Sequence, residues 1–147
     1  MAPASDKPTP DFLGSRRQLE DFVADWESCR LPRSQWTHAA HVAVAANYAY
    51  FLSAEESFEA MRSGILRFNA CVGIENTEHS GYHETLTRFW WGTIGAFVAK
   101  GKFDTAFSAV CAAVEEYGNE RDLHRSFYRH DILTDRKARS EWIRPPM

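Results

Sequence analysis

The sequence lacks most of the patterns that identify a function at sight. No apolar run approaches the ~20 residues needed to cross a bilayer. The opening stretch MAPASDKPTPDF has no apolar segment of the kind a secretory signal carries. Cysteine is scarce: there are three, at positions 29, 71 and 111, with no CxxC pair, so a Cys-rich zinc site is excluded. The odd count, with each cysteine among apolar neighbours, reads as buried free thiols in a reducing compartment and predicts a cytoplasmic protein. There is no Gly-rich phosphate loop or dinucleotide fingerprint, and no G-x-S-x-G elbow. The metalloprotease spacing H-E-x-x-H is absent as well. No segment alternates in the manner of a strand.

Charge of one sign is also missing. The formal net charge is -3, and the 118–147 segment, with 7 basic and 5 acidic groups, is only mildly basic. Neither a nucleic-acid partner nor an anionic membrane follows from that balance. What the chain has in quantity is aromatic residues, 14% of the total with five Trp and ten Phe. Each buries a large area, so 147 residues carry enough apolar bulk for one core.

The periodicity is helical. Residues 1–14 read as a flexible arm and 15–147 as one helical domain. A first helix starts near Ser15, with Leu19, Phe22, Val23 and Trp26 on one face, and stops before Leu31-Pro32. A second, rich in Ala, is capped by Ser34 or Thr37 and runs to Leu52. A third opens on the capping box Ser53-x-x-Glu56 and closes at Gly73. The polar loop GIENTEHSG follows. A fourth helix is predicted from Ser80–Tyr82 to about Ala99, and a fifth from Asp104 to Tyr117. Further helical pieces are expected from Arg121 to His130 and from Thr134 to Ile143. The simplest assembly is an all-α bundle of four longer helices plus a short C-terminal pair.

The candidate chemistry lies in histidines. His38 and His41 are three apart on the Ala-rich helix and share a face. His83 sits at the start of the fourth helix. Two imidazoles from one helix and a third from another form a geometry that can hold a divalent transition metal (Zn, Fe, Mn, Ni or Cu), with a position left for water or substrate. Glu84 would then act as general base or orient an imidazole, and Tyr82 would supply a phenol. Asn76, Thr77, Arg88 and Trp36 would bind or wall in a small-molecule substrate. The bland alternative makes His41 a core histidine, His38 part of a cap and His83 a surface residue. A third reading keeps the pocket without a metal, with His83 and Glu84 as an acid–base pair. His124 and His130, in the basic tail, read as surface residues. Arg121, Arg125 and Arg129, spaced by four, read as a solvated helical stripe.

The stretches LPRSQWTHAAH, FNACVGIENTEHSGYHETLTRFW and FYRHDILTDRKARSEWIRPP resemble an uncharacterised family of small bacterial proteins. Its pattern includes W-T-H-x-x-H, N-T and G-Y-H-E-T elements. The resemblance points to Trp36, Thr37, His38 and His41, to Asn76 and Thr77, and to Gly81, Tyr82, His83, Glu84 and Thr85. It implies a site and no reaction. The architecture is also similar, more distantly, to DinB-like bundles, which hold a divalent metal with three histidines. The reading that follows is a metal-dependent enzyme acting on a small molecule. Its rival is a non-catalytic helical module that binds a ligand or a partner, dimeric through an Ala-rich or aromatic face.

Overall fold

Helix α2 (His38–Phe51) is the element the rest is built around. Its sequence, HAAHVAVAANYAYF, is apolar on nearly every side, and Ala40, Val42, Ala43, Val44, Ala45, Ala46 and Tyr48 are all buried. A helix apolar all round belongs in an interior. Packed on it are α3 (Ala54–Val72), α4 (Glu84–Gly101) and α5 (Ala106–Tyr117). The small side chains of α2 let these neighbouring helices approach closely. α1 (Arg16–Glu27) closes the core with Trp26, which is fully buried and stacks on Trp36 at 4.6 Å. At Gly64 of α3 an added Cβ would collide with the Trp26 ring, so the α1–α3 approach requires glycine. The computed structural model describes residues 9–146. Among them every regular element is helical, and no helix is long and apolar enough to cross a membrane.

Local signals fix several helix ends. Ser15 accepts from Gln18 N, and Thr37, rather than Ser34, accepts from Ala40 N. The Ser53–Glu56 capping box forms in both directions. Gly73 takes the left-handed conformation, φ 78°, that ends α3. The long helices number five, not four, because α5 is as long as α1.

The C-terminal pair departs further from expectation. Leu123–Ser126 and Ile132–Thr134 are 3-10 turns, and only Arg136–Ser140 (α6) is α-helical, capped by Asp135 and not Thr134. The stripe of Arg121, Arg125 and Arg129 thus has no helix to lie on. This tail folds back on the start of α4 and builds a second apolar cluster from Phe89, Tyr128, Ile132 and Ala138.

The cysteines also differ from expectation. Cys29, at the end of α1, is bonded to Cys71, at the end of α3, with Cα atoms 6.1 Å apart. Only Cys111 is free, and it is half-buried. Cys29 takes a positive φ of 65° at the helix exit. The argument for a reducing compartment from free thiols falls with that bond, since intramolecular cystines are the habit of oxidising settings.

Candidate functional site

The three histidines do not converge on one point. Each ring is engaged by a different part of the fold. A backbone carbonyl can only accept, so the partners fix the tautomers. His38 Nε2–H donates to Tyr117 O at 3.0 Å, and its ring meets Trp90 edge-on at 4.7 Å. His41 Nδ1–H donates to Thr37 O at 2.9 Å, and its ring lies 3.9 Å from that of Trp36. His83 has no free nitrogen. Its Nδ1 accepts from Leu86 N at 3.0 Å, making it the N-cap of α4, and its Nε2–H donates to Ile132 O at 2.8 Å. Trp90, against which His38 packs, is seven residues beyond His83, or ~10 Å along α4. Among the described residues no group of three or more His, Cys, Asp or Glu side chains is arranged to hold a metal ion.

Burial sets the titration of these rings. It holds His38 and His83 below the usual histidine range, and the charges of Arg139 and His124 push His83 in the same direction. For His41 burial is again the main cause and takes the value down to about 4. All three are neutral imidazoles at neutral pH. The tail histidines divide. His130 is exposed and hydrogen-bonds Asp135 at 2.8 Å. His124, expected at the surface, is 2% exposed and packs edge-on to Phe89.

The predicted substrate-binding loop residues serve the loop itself. Asn76 Oδ1 accepts from Tyr82 N at 2.8 Å and from Asn69 Nδ2 at 3.1 Å. Gly81, at φ 82°, lies so close to that amide that a Cβ would strike it. Thr77 Oγ1 receives His79 N and Ser80 N, which is turn chemistry. Trp36 is a packing residue between Trp26 and His41.

Three of the predicted residues do come together. Glu84 Oε1 accepts from Tyr82 OH at 2.7 Å, and Glu84 Oε2 accepts from Arg88 Nε at 2.8 Å. Arg62, which the sequence did not single out, reaches across from α3 to Glu84 at 3.5 Å. The Glu84 side chain is 13% exposed, against 34% and 45% for Arg88 and Arg62. Burial by itself would raise the Glu84 carboxyl. The hydrogen bonds from Arg88 and Tyr82 and the two guanidinium charges outweigh it and hold the group below the usual range. Tyr82 is displaced upward, by burial first and by Glu84 second.

This network borders a cleft of about 570 Å³ between α3 and α4. The helices run antiparallel there. The middle of α3 meets the start of α4 through Arg62 and Glu84, while Trp91, two turns further along α4, donates through Nε1 to Ala54 O and Ser57 Oγ at the start of α3. Each helix contributes a stripe at i, i+4, i+7: Glu55, Glu59 and Arg62 from α3, and Glu84, Arg88 and Trp91 from α4. Phe58 forms an apolar wall, with the Arg88 guanidinium 4.1 Å above its ring. In sequence Phe58 and Trp91 read as core residues; Phe58 is buried and Trp91 half-buried. The i, i+4, i+7 spacing on α3 was the available signal, but nothing local says which helix that stripe faces.

A scan against protein-family models finds no match to this chain, and searches of curated proteins and of solved structures find no similar protein either.

Proposed function

We propose that this chain is a helical ligand-binding module whose site is the α3–α4 cleft and whose ligand is a small organic anion. One observation carries the reading. Arg62 and Arg88 each spend Nε on the shared Glu84 carboxylate, and their terminal nitrogens make no hydrogen bond to protein among the described residues. Two guanidinium forks oriented by one largely shielded carboxylate, with donors to spare, can pair in bidentate fashion with two oxygens of a carboxylate or phosphate. Because Glu84 offsets one charge, the inner end of the cleft keeps a net positive charge. Tyr82 and Glu84 hold each other and fix the forks, so their role in this reading is positioning.

Titrating the protein with benzoate and with inorganic phosphate, followed by calorimetry, tests it. Saturable binding of either, weakened about tenfold or more in Arg88→Gln, is the expected result. No binding of either probe by the folded protein overturns the reading.

The metal-dependent enzyme keeps one supporting observation. His38 and His41 each donate one ring N–H to a backbone carbonyl, which leaves the other nitrogen as an acceptor, the arrangement metal-ligating imidazoles adopt. With His83 engaged at both nitrogens, a centre there would have to draw its remaining ligands from elsewhere. Stoichiometric Zn, Fe, Mn, Ni or Cu in protein purified without a His tag, lost in His38→Ala and kept in Arg88→Gln, would move the function from the cleft to the α2 histidines.

A further inference from the structure

His124 is buried without a partner. It stands on the turn Leu123–Ser126, 2% exposed, with its ring edge-on to Phe89 of α4. Neither ring nitrogen makes a hydrogen bond among the described residues. The charged groups nearby supply no counter-ion. Beside it in sequence, Asp122 pairs with Arg125. Asp131, just before Ile132, accepts from Leu133 N. Asp135 holds His130 and caps α6. From the start of α4 the facing group is His83, whose one N–H goes to Ile132 O. Beyond His83 lies Arg139 of α6, whose Nε is also buried and unpartnered. A proton on His124 therefore puts a cation in an apolar cluster, beside a second imidazole and with no acceptor. Burial first, and the Arg125 charge, hold the ring below the usual histidine range against the Arg121 carbonyl, Asp122 and Asp131.

The region around His124 is also the part of the fold best able to open alone. Its cluster is small, built on Phe89, Tyr128, Ile132 and Ala138, and no residue beyond Tyr117 contributes to the main core. Few buried apolar contacts make a segment a unit of local opening. We propose that residues 123–143 form an acid-released latch: protonation of His124 lifts this segment from α4 while α1 to α5 stay folded. Opening breaks the bonds of His83 to Ile132 O, of Thr85 to Glu141 O and of Arg139 to Gly81 O. The first turn of α4, which carries Glu84, then loses its tether. The latch acts whatever the cleft binds.

Amide hydrogen exchange of the whole chain, read by mass spectrometry at about pH 7.5 and about pH 5.0 and corrected for intrinsic rates, tests this. One histidine changes an opening equilibrium by at most about tenfold per pH unit. Peptides covering 121–143 are expected to open about tenfold or more further at the lower pH, and at that pH more readily than peptides of α2. In His124→Phe, whose ring fills the same site and takes no proton, the rise should shrink to about threefold or less, with α2 unchanged. Circular dichroism checks the fold of the variant, and His124→Leu replaces it if it does not fold. A segment that does not respond to acid, or opens only in step with α2, overturns the latch. So does an acid response that survives in the folded variant.

Discussion

The imidazole of His83 joins two distant parts of the chain: it caps α4 through Nδ1 and holds the carbonyl of Ile132 through Nε2, 49 residues away. Around that link the tail is tied down by further bonds. Thr85 Oγ1 donates to Glu141 O and accepts from Ile143 N. Arg139 Nη1 donates to Gly81 O at 3.0 Å, and Tyr128 OH donates to Ile143 O. One of the three histidines read as metal ligands is thus a structural clamp at the entrance to α4. It sits beside Tyr82 and Glu84 and sets where they stand.

Removing the imidazole should show this division of labour. His83→Ala loses both the cap and the tether to Ile132, and is expected to destabilise by roughly 1–3 kcal/mol in urea unfolding. His83→Asn keeps an N-cap acceptor and loses the tether, so it should cost about half as much. Equal losses for the two would mean that the cap contributes nothing.

Acid should weaken the fold in a defined direction. His38, His41, His83 and His124 are all held below the ordinary histidine value, chiefly by burial. A histidine with a depressed folded value binds fewer protons in the folded than in the unfolded state. Stability is then fully present above the unfolded value and falls as pH drops through it toward the folded one. For His41 the window runs from 6.5 down to about 4. Each such group contributes a slope of at most about 1.4 kcal/mol per pH unit. Urea midpoints should therefore fall between about pH 7 and pH 5, and the fall should be shallower in His41→Gln. A midpoint flat across that range would show that these rings stay solvated.

The cystine should stabilise the fold through the unfolded chain. Cys29 and Cys71 are 42 residues apart, and closing a loop of that size removes chain entropy worth ~4 kcal/mol in the entropic account. Reduction, or Cys29→Ser with Cys71→Ser, is expected to lower the melting temperature clearly, whereas Cys111→Ser should change it little. Intact mass with and without reductant verifies that the bond is present. A melting temperature indifferent to reductant would count against it.

Much of the fold was readable because the relevant signals are local. A serine before an apolar periodic run, a glutamate three residues later and a glycine after the last apolar residue act within one turn, and Ser15, Ser53 and Gly73 do what their neighbours dictate. The site was readable in part for the same reason. Tyr82, Glu84 and Arg88 lie within two turns of one chain segment, so their contact is nearly local. Asn76 looked like a ligand because a polar side chain in a loop looks the same in sequence whether it faces a substrate or, as here, its own backbone.

The sequence by itself determined the five long helices, the caps at Ser15, Ser53 and Gly73, the apolar character of α2, and the nearly local cluster that Tyr82, Glu84 and Arg88 make. Tertiary structure alone decided that Arg62 crosses to Glu84, that Cys29 meets Cys71, that His124 is buried and that the C-terminal segment takes up His83's second nitrogen. The reason is physical. Caps and i, i+4 pairs are fixed by backbone geometry over a few residues, whereas these four contacts join points from 22 to 49 residues apart and are chosen only when whole helices settle against one another.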